Sequence, residues 1–358
     1  MSGTPTVAAA LRAARAAGIE RLDARLLLAF ALERTPSWLM AHDDAPLGPG
    51  AQARYDGLLR RRADGEPLAY LVGHKEFHGL ELTVTPDVLV PRPDTETLVD
   101  WALECLDDTA PARVLDLGTG SGAIALALAH RRPWARVTAV DASAQALAVA
   151  AGNGERLGLG VEWLEGDWFA PLGGRRFELI CANPPYVADG DPHLAALGHE
   201  PRSALVSGPE GLDALRRIVL AAPAHLEAGG WLLLEHGHEQ APAVARLLSE
   251  AGFGAVTTRR DLGGQPRSPG PRGPAEAPGR PHCGAGASTA RSSSPARRCG
   301  DSVSGFSPSA ESRRALRFLP GDTDPVEAGP PGWRRLSWPC TSAGFVRPSW
   351  PHWPQPAP

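Results

Sequence analysis

Between residues 112 and 259 short apolar runs alternate with longer stretches of helical period. The runs near 112–117, 136–141, 160–165, 176–182, 230–235 and 254–259 are strand-length and rich in Val, Leu and Ile. The stretches near 121–131, 143–157, 210–222 and 239–251 carry apolar residues three and four apart and predict helices. Strands of nearly unbroken hydrophobicity, each followed by a helix, predict an α/β fold: a mostly parallel sheet covered on both faces. In such sheets ligands bind beyond the carboxyl ends of the strands, at the switch in strand order. Three features fall at such ends: Asp116 to Gly122, Asp141 and Asn183.

The flanks differ. Val7, Leu11 and Ala14, and then Leu22, Leu26, Leu27, Phe30 and Ala31, are spaced for helices, with Asp23 and Pro36 as start and stop signals. Leu58, Leu59 and Arg60 to Arg62 predict a further helix before Gly65. Residues 1–72 thus form a helical domain without a catalytic constellation, suited to recognition or packing. Residues 73–92, with Phe77, Leu80, Leu82, Val84, Val88 and Val90 broken by Gly79 and Pro86-Asp87, predict a β-hairpin linker. Asp94 is the expected N-cap of a helix with Leu98, Trp101, Ala102 and Cys105 on its apolar face.

Composition changes the picture at the C-terminus. Residues 266–358 hold 18 of the 36 prolines and three of the five cysteines, and hydrophobic periodicity ends there. Disorder is the expectation for this segment. It holds 12 Arg and 6 acidic residues, so of the net charge of −4 the preceding body carries −10. An acidic body argues against a duplex-binding face. The cysteines form no C-x-x-C pair, and no apolar run reaches the length of a membrane span. Arg12 and Arg15 interrupt the first apolar stretch, against a signal peptide. A cytoplasmic protein is expected.

Candidate chemistry lies at the strand ends. Asn183-Pro184-Pro185-Tyr186 follows an apolar strand, and its two prolines fix a stiff corner. There an Asn with one acceptor and two donors stands beside a flat aromatic face, a fit for a planar amide or nucleobase amine. Asp116-Leu117-Gly118-Thr119-Gly120-Ser121-Gly122 is an acid and a glycine-rich turn into a helix. It also satisfies the dinucleotide pattern through Gly118, Gly120 and Ala123, so the turn alone leaves the ligand open. Asp141 closes the second strand, where an acid grips ribose hydroxyls. Asp167 and Trp168 close the third, an acid and an aromatic suited to an adenine ring. His236 and His238 lack a third ligand at metal spacing, and His74 and His78 fall in the hairpin, so no metal is expected.

Together the glycine loop, Asp141, Gly166-Asp167-Trp168-Phe169 and Asn183 to Tyr186 resemble a class I S-adenosylmethionine-dependent methyltransferase. Val84 to Glu96, containing Pro91-Arg92-Pro93-Asp94-Thr95-Glu96, narrows the resemblance, as do Glu200-Pro201 and Gly208-Pro209-Glu210-Gly211-Leu212. The chain resembles the HemK/PrmC family over about residues 5–265. That family methylates the side-chain amide (N5) of the glutamine in the Gly-Gly-Gln motif of class 1 peptide chain release factors. The resemblance implies a Rossmann-like methyltransferase domain at 93–265 and S-adenosyl-L-methionine as methyl donor. It implies a donor site of Asp116, Gly118, Thr119, Gly120, Ser121, Gly122, Asp141, Asp167, Trp168 and Asn183. It implies that Asn183, Pro184, Pro185 and Tyr186 hold the substrate glutamine. The implied partner is a release factor met by a monomer, without direct nucleic-acid or membrane contact. The alternatives are a nucleic-acid adenine N6-methyltransferase sharing the tetrad, and a non-catalytic remnant of the fold.

One departure is expected to matter. Family members close the sheet with a final strand after Asp-Leu-x-Gly. Here Asp261-Leu262-Gly263-Gly264-Gln265-Pro266-Arg267 leads into Ser268-Pro269-Gly270-Pro271, which proline bars from a central strand. The expectation is an intact site on a scaffold missing its last strand, with 315–319 as a poor substitute.

Overall fold

The computed structural model describes residues 4–254, 256–260 and 266–270. Five helices come first: α1 (Val7–Ala16), α2 (Arg21–Leu32), α3 (Pro36–Ala41), α4 (Pro49–Ala63) and α5 (Leu68–Val72). Thr6 caps α1 by accepting from the Ala9 N–H at 3.3 Å. Val7, Ala10, Leu27, Leu28, Leu39 and Tyr55 pack into their shared core. Two expectations are corrected here. Pro36 opens α3 instead of stopping α2, because a proline at the first helical turn gives up an N–H that has no helical partner anyway. Leu22 and Phe30 point outward, 58% and 45% exposed, and Leu28 takes the inward position. Asp23 lies in the first turn of α2, where an acid marks a helix start as expected, and its carboxylate pairs with Arg62 of α4 at 2.6 Å.

Strands β1 (His74–Phe77) and β2 (Leu80–Thr83) form the expected hairpin. His78 and Gly79 both have positive φ (49° and 81°), as a two-residue turn matched to strand twist requires. Helix α6 (Pro93–Cys105) follows. Its N-cap is Arg92, not Asp94; Asp94 sits in the first turn, where the carboxylate still meets the positive end of the helix dipole.

The remainder runs β3 (Arg113–Leu117), α7 (Ala123–Arg131), β4 (Arg136–Asp141), α8 (Ala144–Leu157), β5 (Glu162–Glu165), β6 (Phe177–Ala182), α9 (Asp213–His225), β7 (Leu226–Leu234) and α10 (Ala241–Glu250). The order across the sheet is β5-β4-β3-β6-β7, all parallel. Alternate residues of the inner strands feed two cores. Val114, Leu179 and Cys181 face the layer holding α6 and α7, while Leu115, Leu117 and Ile180 face that of α9 and α10. Burying each such Leu or Ile contributes about 1.5–3 kcal/mol. The chain leaves β3 toward β4 on one side and toward β6 on the other, so the switch point lies above Leu117.

Strands β8 (Thr257–Arg260) and β9 (Pro266–Gly270) pair antiparallel, and β9 also runs beside β7. This corrects the expectation that no strand follows 254–259; β8 and β9 form a two-stranded sheet of their own, apart from the five-stranded one. A proline removes a ladder bond only where its N–H would face the partner. Here Pro266 starts the strand, next to a register shift between Arg259 and Arg260, and Pro269 lies opposite Thr258. The methyltransferase body therefore runs on past residue 265 to at least Gly270; residues 271–358, with the expected tail and the 315–319 stretch, lie outside the described residues.

Candidate active site

A cavity of about 300 Å³ opens above the switch point. The glycine loop forms one wall. The Gly118 and Thr119 N–H groups donate to the Val140 carbonyl at 2.8 and 3.1 Å, which bends the chain over the end of β4. Gly118 has φ +71°, which strains any residue with a Cβ, and a Cβ there would crowd the Trp168 ring at 3.3 Å. Thr119, Gly120 and Ser121 continue the wall. Gly122 starts α7 beside Trp163 and Ala150 and stands outside the cavity.

Asp116 also stands outside it. The carboxylate is fully buried beneath the loop. Its Oδ2 accepts from Thr119 Oγ1 at 2.6 Å and from the Ala125 N–H at 3.2 Å, tying the loop to the first turn of α7. Burial pushes its pKa up to about 7, against the pull of those two hydrogen bonds. The same desolvation drives the neighbouring Cys181 thiol well up.

Asp141 lies where expected, at the end of β4 and in the cavity wall. Its Oδ2 accepts from the Gly120 N–H at 2.8 Å and its Oδ1 from the Ser143 N–H at 2.9 Å. Each oxygen retains lone-pair capacity toward the cavity. Trp168 lines the wall too, with φ +51°. Asp167 reaches the rim, where its exposed carboxylate pairs with Arg217 of α9.

The opposite wall holds Asn183 and Pro185; Pro184 and Tyr186 stand beside it. Asn183 Nδ2 donates to Thr95 Oγ1 at 3.2 Å. The Tyr186 hydroxyl donates to Glu235 Oε1 at 3.2 Å, and its carbonyl accepts from Gln240 Nε2 at 3.0 Å. These two contacts fix the ring at the end of β6. Among the described residues no group of three metal-ligating side chains occurs.

Sequence reasoning missed the residues that hold this wall. Buried Glu200 accepts from the Val90 N–H at 3.1 Å and pairs with Arg92, clasping the segment before α6 to that after β6. Asn153 of α8 is 1% exposed and donates to the carbonyls of Thr83 and Ser121, both at 3.0 Å, so hairpin and glycine loop share one support. Thr95 is buried in the first turn of α6. Thr95 and Glu200 lie inside stretches singled out as motifs; what the sequence lacked was the side chain each one meets.

The fit to a nucleoside-bearing ligand rests on this wall. An acid stands at the end of β4, an indole faces the loop, and a side chain at Gly120 would enter open space. Residues 6–73 match the PrmC N-terminal domain and residues 95–200 the methyltransferase small domain. The release factor glutamine methyltransferase of Xylella fastidiosa (strain Temecula1) is 52% identical over 256 residues, covering 71% of this chain and 93% of that one. The protein of the same name from Bordetella pertussis is 51% identical, covering 71% and 95%. The solved protein-(glutamine-N5) methyltransferase (release factor-specific) of Alicyclobacillus acidocaldarius is 35% identical, covering 54% of this chain and all of that one, with a TM-score of 0.34. With about half of the aligned residues identical over nearly the whole length of such relatives, the chain belongs to the release factor glutamine methyltransferase family.

Proposed function

We propose that the chain transfers a methyl group from S-adenosyl-L-methionine to N5 of the glutamine in the Gly-Gly-Gln motif of class 1 release factors. One observation carries this reading: a single cavity is lined by the glycine loop and Asp141 on one side and by Asn183 and Pro185 on the other. The donor, when bound, supplies a methyl group already activated on a sulfonium sulfur. Asp141 would hold ribose hydroxyls, Trp168 would face the adenine, and Asp167 at the rim would take its amine.

A carboxamide nitrogen is a poor nucleophile because its lone pair is delocalised. Asn183 Oδ1 and the Pro184 carbonyl accept its two N–H groups and turn the nitrogen toward the methyl, with Tyr186 on the amide plane. The N–C bond forms as the C–S bond breaks, and the extra proton leaves to water. Positioning supplies several kcal/mol of such a reaction, up to roughly 7–11 in the best cases. Residues 1–72 recognise the release factor, and the reaction belongs in the cytoplasm with that substrate. Among the described residues no helix is long and apolar enough to cross a membrane.

Asn183→Ala is the direct test. Methyl transfer to a release factor should fall at least about a hundredfold. Transfer at the parent rate would overturn the assignment of Asn183.

A further inference from the structure

Asn183 has two ways to sit. Its amide oxygen and nitrogen are nearly equal in shape, and rotation about χ2 exchanges them at little steric cost. Only one orientation serves the proposed reaction. The glutamine amide presents N–H groups, so it needs Oδ1; Nδ2 in that place would set donor against donor.

Resting on the function proposed above, we propose that Thr95 is the positioning residue that anchors the Asn183 carboxamide in the cavity wall; its hydroxyl, donor as well as acceptor, ties down the amide end that meets it. Here that end is Nδ2, whose N–H donates to Thr95 Oγ1 at 3.2 Å, which leaves Oδ1 as the end offered to an incoming N–H. Both residues border the cavity, and Thr95 is only 4% exposed.

The support beneath Thr95 is stiff. Its β-branched side chain has few rotamers. Its N–H donates to the Arg92 carbonyl at 3.1 Å in the first turn of α6. Arg92 is held by buried Glu200, and Glu96, one residue on, accepts from the His78 N–H at 3.1 Å. The hydroxyl therefore stands at a place set by three separate anchors. A role in packing alone would need the methyl group and the volume of Thr95, not its oxygen.

Thr95→Val keeps the volume and removes the oxygen; Thr95→Ser keeps the oxygen. With a purified release factor as acceptor, Val should lower kcat about fivefold to tenfold without moving the KM for S-adenosylmethionine. Ser should restore kcat to within about twofold. Val at the parent kcat, or Ser as slow as Val, would overturn the proposal. A second readout needs no acceptor. In asparagine-¹⁵N-labelled protein, the Asn183 side-chain amide signals, assigned by their loss in Asn183→Ser, should show slowed proton exchange in the parent and in Thr95→Ser. In Thr95→Val they should exchange fast, and equal exchange in all three would sink the idea. If the parent protein leaves release factors unmethylated, the proposed function fails, and the exchange data still decide the role of Thr95.

Discussion

Asp116 shows how one side chain reads differently in sequence and in space. As an acid before a glycine loop it belongs to a donor site. As a residue of β3 it shares the parity of Val114, which faces the α6 and α7 layer, so its carboxylate turns inward under the loop. That parity was visible in the sequence and went unused. Its raised pKa has a consequence for stability. An unfolded Asp titrates near 3.9, whereas folded Asp116 titrates at about 7. Between those values the folded state holds a proton that the unfolded state has released. The contribution is therefore fully present below about pH 4 and is lost as the pH rises through 7, a span on the order of 4 kcal/mol. Asp116→Asn cannot titrate. Urea unfolding at pH 5 and pH 8 should show the parent losing stability relative to the variant; equal losses in both would contradict the assignment.

At the scale of elements, apolar runs predicted the strands well where both faces are buried. Strands β3, β4 and β6 lie within a residue or two of their expected bounds, because continuous Val, Leu and Ile leave little alternative. Strand β7 starts four residues before the expected 230, directly after α9, and its polar start with Gly229 and Gly230 hid this. Strand β9 was illegible because composition suggested disorder and only the partner strand shows which N–H groups a proline forfeits. The Gly208 to Leu212 stretch marked a family without a physical reason, and the fold supplies one. Gly211 has φ +70°, and a Cβ there would lie 2.2 Å from the Tyr186 carbonyl oxygen. Gly211→Ala should cost roughly 1–3 kcal/mol in stability and lower kcat by displacing Tyr186. A melt and a turnover number equal to the parent's would show that this contact yields freely. A chain ended after residue 264 should unfold at lower urea than one ended after 270, because only the longer keeps β9. Matching midpoints would mean that β9 adds nothing to the body.

At the scale of the molecule, the site joins parts far apart in sequence. The hairpin and the glycine loop meet on Asn153, the segment before α6 meets that after β6 on Glu200, and Thr95 of α6 meets Asn183 just past β6. The residues that line the cavity were legible because strand ends and glycine turns announce themselves locally. Their supports were not, since each is defined by a partner up to 110 residues away. The central claim is that this assembly methylates a release factor on one glutamine. It is tested most directly by the transfer of labelled methyl from S-adenosylmethionine to a purified class 1 release factor. A copy with its Gly-Gly-Gln glutamine changed to alanine serves as the control. The account predicts label on the first and none on the second; equal label on both, or none on either, would contradict it.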